Sequence, residues 1–143
     1  MRALLLTLMM AAAVASHAQT LTPVAVPGRA AVKLEKVLKK IRNGVVTDKR
    51  PASLPVEARP ALNRILVEST NEFLAITSTN PTKEAYLQSL DASLNQLHPL
   101  VKKVEERQDL AVYYQDLLEI VGLESSEGLL SAFVEKKPVA ARR

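Results

Sequence analysis

Apolar residues in this chain recur three and four positions apart from residue 29 onward, and nowhere do they alternate with polar ones long enough to make a strand. A repeat near 3.6 residues builds helices with one buried stripe, so the pattern restricts the chain to helix-on-helix packing. Val45-Val46 is too short to count as a strand, and no internal repeat is visible. The expected fold is all-α: an up-and-down bundle of four main helices with a short C-terminal fifth over residues 29–134.

Residues 1–18 stand apart from that pattern. Arg2 supplies a positive start, Ala3 to Val14 are mostly apolar, and Ser16-His17-Ala18 places small residues at the −3 and −1 positions. Those are the marks of a secretory signal peptide cleaved between Ala18 and Gln19. A retained anchor would need about 20 apolar residues, and Ser16, His17, Gln19 and Thr20 close the run before that. The expected location is periplasmic or secreted. Beyond Ala18 the chain holds no Cys, Met or Trp, and His98 is its single histidine. Disulfide frameworks, thiolate zinc sites and covalent haem need cysteine, and His/Met-ligated haem or copper is excluded as well. No cofactor and no metal are expected, and packing alone must hold the domain together.

Residues 19–28, with Pro23 and Pro27, read as an extended leader. The first helix is expected over Arg29–Asn43, with Ala30, Leu34, Val37, Leu38 and Ile41 inward, Lys33, Lys36, Lys39 and Lys40 outward, and Gly44 as its left-handed cap. Residues 45–57 form the longest connection. The second helix is expected over Ala58–Thr77, with Leu62, Ile65, Leu66, Phe73 and Ile76 inward and the hydroxyls of Thr77-Ser78-Thr79 ending it. Asn80 and Pro81 suit the cap and first position of the third. There, Tyr86, Leu90, Leu94, Leu97, Leu100, Val101 and Val104 keep one phase across Pro99, which predicts a single kinked helix over Pro81–Glu105, with a break at His98 as the other reading. The fourth helix is expected over Asp109–Val121 with Gly122 as terminator. The short fifth has Ser125 as cap, Glu127 in its first turn, and Leu129, Leu130 and Phe133 inward. Residues 135–143 read as a disordered basic tail.

The run Ile120-Val121-Gly122-Leu123-Glu124-Ser125-Ser126-Glu127-Gly128-Leu129-Leu130 resembles the C-terminal signature of a family of small bacterial proteins of unknown function. The likeness extends over about residues 110–134. It implies an all-helical fold and a bacterial source, and it brings no activity and no catalytic residue. Physically the run is a tight corner that folds Leu129 and Phe133 back onto the core.

Catalytic chemistry has little to work with. A hydrolytic triad would have to use His98, no nucleophile elbow occurs, and the four glycines form no phosphate loop. Glu105-Glu106-Asp109 and Glu124-Glu127 could serve as glycosidase carboxylates by spacing, but sugar clefts are usually walled by aromatics that this chain lacks. The expectation is a protein that is not an enzyme.

Charge is segregated instead. Residues 29–50 are rich in Lys and Arg, whereas residues 105–127 set Arg107 against Glu105, Glu106, Asp109, Asp116, Glu119, Glu124 and Glu127. The two segments either face each other, lie in solvent, or meet partners. No aromatics interleave the lysines, so nucleic acid is not expected. On the fourth helix Val112 is out of phase and Tyr113 and Ile120 are marginal. With Asp116 and Glu119 they suggest an acidic-apolar surface for another extracytoplasmic protein, of inhibitor or immunity type. The alternative is an envelope-associated structural protein, whose Lys33, Lys36, Lys39 and Lys40 adhere to anionic lipid or polysaccharide. The sequence leaves the oligomeric state open.

Overall fold

A computed structural model of the chain describes residues 21–43 and 55–136. Among the described residues there are five α-helices: α1 (Ala30–Arg42), α2 (Arg59–Thr79), α3 (Lys83–Leu97), α4 (Val104–Val121) and α5 (Leu129–Glu135). Two 3₁₀ turns, Val56–Ala58 and His98–Leu100, complete the regular structure, and no strand occurs among the described residues. The signal-like segment, Gly44 and most of the connection after it, and the last residues of the basic tail lie outside the described residues. α1 packs chiefly on α2, α2 on α3, and α4 on α5, with α4 also reaching α1 and α2. The core runs through all five: Leu34 and Ile41, Leu66 and Phe73, Tyr86 and Leu90, Leu110 to Val121, and Leu129 with Phe133.

Helix α2 continues through Thr79 rather than stopping at Thr77. The hydroxyls expected to break it bond within it: Thr77, Ser78 and Thr79 donate to the carbonyl oxygens of Phe73, Leu74 and Ala75 at 2.7, 3.0 and 2.7 Å. Side-chain donation to the preceding turn lets these residues extend a helix instead of ending it.

The start of α3 also lies later than expected. Thr82, not Asn80, is the cap, and its Oγ1 accepts from the Ala85 amide at 3.2 Å. The shift follows from residues 22–24, which lie antiparallel to residues 81–83. Val24 N–H donates to the Pro81 carbonyl and Lys83 N–H to the Thr22 carbonyl, both at 2.9 Å. The leader is therefore docked along the start of α3, with the Glu84 carboxylate accepting from both the amide and the hydroxyl of Thr22.

The single kinked helix across Pro99 is not formed. α3 ends at Leu97, His98–Leu100 make a 3₁₀ turn, and Val101 is extended (φ −125°, ψ 123°). Pro99 has no amide hydrogen and crowds the carbonyl four residues back. The apolar phase persists across Pro99 without a helix because Val101 is buried from an extended backbone, whereas Val104 is 46% exposed. A new helix begins at Val104, and the Glu106 Oε1 accepts from the amides of Lys102 (3.2 Å) and Lys103 (2.8 Å). Backward acceptance by a third-position glutamate is half of a capping box. α4 thus starts five residues before the expected Asp109.

The α4–α5 corner turns on Gly122, at φ +84°. Leu123 N–H donates to the Leu118 carbonyl (2.9 Å) and Gly122 N–H to that of Glu119 (3.1 Å), closing the helix end. A Cβ at Gly122 would stand 3.2 Å from the Pro27 ring and 3.3 Å from the Ala25 carbonyl oxygen. Gly122→Ala should therefore cost about 2 kcal/mol, measured by urea unfolding, because left-handed backbone strain adds to displacement of the leader. The expected Ser125 cap is replaced by a two-step turn: Ser125 Oγ accepts from Glu127 N–H (3.0 Å) and Ser126 Oγ from Leu130 N–H (3.3 Å). Glu127 consequently lies before α5, with φ +53°, rather than in its first turn.

Candidate functional site

The outer side of α4 carries the residues that the sequence singled out. At about 100° per residue, Glu105, Val112, Asp116 and Glu119 fall within roughly 60° of one another. All four are exposed, and Val112 is 48% exposed, large for an apolar side chain in the middle of an acidic row. Beside the row lies an open groove of about 360 Å³ between α4 and α5. It is lined by Ala111, Val112, Gln115, Leu130, Ser131, Val134 and Glu135. The Arg107 guanidinium fixes the geometry from below. Its Nε donates to the Val134 carbonyl (2.9 Å) and its Nη1 to that of Lys102 (2.8 Å), tying α5 to the α3–α4 connection. Arg107 is only 4% exposed, a burial that the sequence pattern did not indicate.

Tyr113 and Ile120 do not join Val112 on that surface. Ile120 is half-buried against the core. Tyr113 turns toward α2, where its hydroxyl meets Thr70 Oγ1 at 2.5 Å while Thr70 donates to the Leu66 carbonyl. The neighbouring Tyr114 is fully buried, and its hydroxyl lies 2.8 Å from Ser69 Oγ, which lies 2.7 Å from Ser93 Oγ. Ser89, one turn before Ser93, donates to the Glu72 carboxylate. These hydroxyls join α2, α3 and α4 through groups that satisfy one another, as buried polar atoms must. Burial pushes both tyrosine hydroxyls well above their ordinary pKa, with the hydrogen bonds shared with Thr70 and Ser69 opposing it.

Two further charged clusters are structural. Glu127 pairs with Lys83, raising the lysine pKa, and the Thr22 hydrogen bonds hold the Glu84 carboxyl below the usual range. Of the carboxylates that the sequence spacing singled out, Glu106 caps α4 and Glu127 pairs with Lys83. No group of three metal-binding side chains occurs among the described residues. His98 packs edge-on to Phe133, ring centres 6.2 Å apart.

The second candidate surface is α1. Lys33, Lys36, Lys39 and Lys40 are all exposed, as are Arg29 and Arg42, and none makes an ion pair among the described residues. The basic and acidic segments do not neutralise each other within the described residues. No helix there is long and apolar enough to cross a membrane.

No curated protein and no solved structure matches the chain. One family model does, and it spans residues 25–138, taking in all five helices and both candidate surfaces. The chain belongs to the family described as a domain of unknown function, DUF4844.

Proposed function

We propose that this protein is a non-catalytic, exported binding protein of bacterial origin, of inhibitor or immunity type, that holds a protein partner on the outer side of α4. The observation that carries the reading is Val112: half-exposed, set among Glu105, Asp116 and Glu119, and bordering the groove between α4 and α5. An apolar centre inside a charged rim is the composition of a protein-binding surface, and the acids would steer a basic partner. The short α2–α3 and α3–α4 connections support the up-and-down helix order that presents this surface. The Ile120–Leu130 run serves, on this reading, as a family signature whose task is the corner at Gly122.

Tyr113 and Ile120 belong to the support of the surface rather than to its face, so the discriminating substitution is Val112→Arg with Asp116→Lys. Both side chains are exposed, so helicity and unfolding midpoint should stay unchanged within about 0.5 kcal/mol. A partner captured by the native protein from its own extracytoplasmic extract, and resistant to salt, should lose at least about tenfold in affinity. Equal capture by the variant would remove α4 from the site.

A second reading, adhesion to anionic lipid or polysaccharide, is favoured by the exposed lysines of α1, which make no ion pair among the described residues. It predicts binding that disappears near about 0.5 M salt, where screening acts over about 4–5 Å.

A further inference from the structure

The two charged surfaces both follow the helical repeat. On α1, Arg29, Lys33, Lys36 and Lys40 are spaced 4, 3 and 4 residues apart, which places them in one row about 16 Å long. On α4, Glu105, Val112, Asp116 and Glu119 are spaced 7, 4 and 3 apart, in a row about 21 Å long, while Asp109 is partly buried and engaged within the fold. Glu35, the one acid of α1, lies off its row, at least about 100° around the helix. Each row is accompanied by one exposed valine, Val32 at 53% and Val112 at 48%.

Helix stability explains only part of each row: Lys40 in the last turn of α1 and Glu105 in the first turn of α4 suit the helix dipole. Arg29 and Lys33 stand at the start of α1, where the helix dipole disfavours cations, and no acid occupies that first turn. Glu119 stands in the last turn of α4, where anions are disfavoured, and no base accompanies it. Like charges four apart on one helix face also repel one another. Such placements are relieved by a surface of opposite sign, and every copy of this chain carries one of each.

From this complementarity we infer that the protein associates with itself, the basic row of α1 in one copy lying along the acidic row of α4 in the next. Val32 would then flank the groove beside Val112. An anionic polymer would use the α1 row alone and be repelled by the α4 row, whereas a second copy uses both. With 19 basic and 15 acidic residues the copies carry little net repulsion. The contact goes beyond the partner-binding reading and does not depend on it, although a partner on α4 would compete with the second copy.

The test is charge exchange, read by sedimentation velocity on the full chain. One variant carries Lys33→Glu, Lys36→Glu and Lys40→Glu; the other carries Glu105→Lys, Asp116→Lys and Glu119→Lys. The native chain should associate with rising concentration at about 20 mM salt and dissociate near about 0.5 M. Each variant alone should bind itself at least about tenfold more weakly, and an equal mixture of the two should recover association, because both contacts are again opposite in sign. Circular dichroism checks that each variant keeps its helices. A closed dimer and a longer assembly both support the inference. A native chain that stays monomeric up to about 1 mM at low salt overturns it. So does association that salt and charge reversal leave unchanged, or variants that fail to rescue each other.

Discussion

Raising the pH from 9 to 11 should remove about 3 kcal/mol of folding stability, a large share of the roughly 5–15 kcal/mol that a domain possesses. The cause lies in Tyr113 and Tyr114, whose hydroxyls are desolvated and hydrogen-bonded to Thr70 and Ser69. In the unfolded chain a tyrosine ionises near its ordinary value of about 10. In the folded chain both hydroxyls keep their protons to higher pH, so above pH 10 the folded state binds more protons than the unfolded one. Stability then falls with pH, by about 1.4 kcal/mol per unit for each tyrosine. It is fully present below pH 9 and declines from the unfolded pKa upward. Tyr86, also raised by burial, acts in the same direction. Urea unfolding at pH 9, 10 and 11 checks this, with Tyr113→Phe/Tyr114→Phe as the control. The double variant should lose most of the alkaline slope; an unchanged slope would assign it to lysines instead.

The features that could be read from the sequence depend on near neighbours in the chain. Leu110, Tyr114, Leu117, Leu118 and Val121 face inward because their spacing leaves no other stripe, and the exposure of Val112 follows from the same count. Gly122 ends α4 because the left-handed cap needs no side chain. The features that could not be read have partners far away. Tyr113 was a marginal residue until Thr70, on α2, supplied a hydroxyl for it. Arg107 stood among acids and looked solvated, yet it is buried because two carbonyls from separate segments converge on it. The leader showed no periodicity, since it is held by backbone bonds to residues 81–83 and by Glu84. At Pro99 local phase actively misled, because an extended Val101 fills the place that a continuous helix would have filled. The candidate surface was legible for its exposed members and illegible for its supports.

The supports can be weighed by dividing Tyr114 into ring and hydroxyl. Its ring is fully buried between α4 and the α2–α3 pair, on the side of α4 away from Val112. Tyr114→Ala removes that ring and leaves a cavity, which should cost about 4 kcal/mol. Tyr114→Phe keeps the ring and removes one hydrogen bond. Ser69 would still lie 2.7 Å from both the Ile65 carbonyl and Ser93 Oγ, so no buried polar group is orphaned. That change should cost only about 1 kcal/mol. Urea midpoints at pH 7 measure both, and the ratio separates packing from polar specificity as the force that seats α4. Because the acidic row rides on the opposite side of the same helix, the Phe variant should keep its partner affinity while the Ala variant weakens both fold and surface. A Phe variant as unstable as the Ala variant would show instead that the Ser69–Ser93–Tyr114 hydroxyls hold α4 in place, with the ring filling space around them.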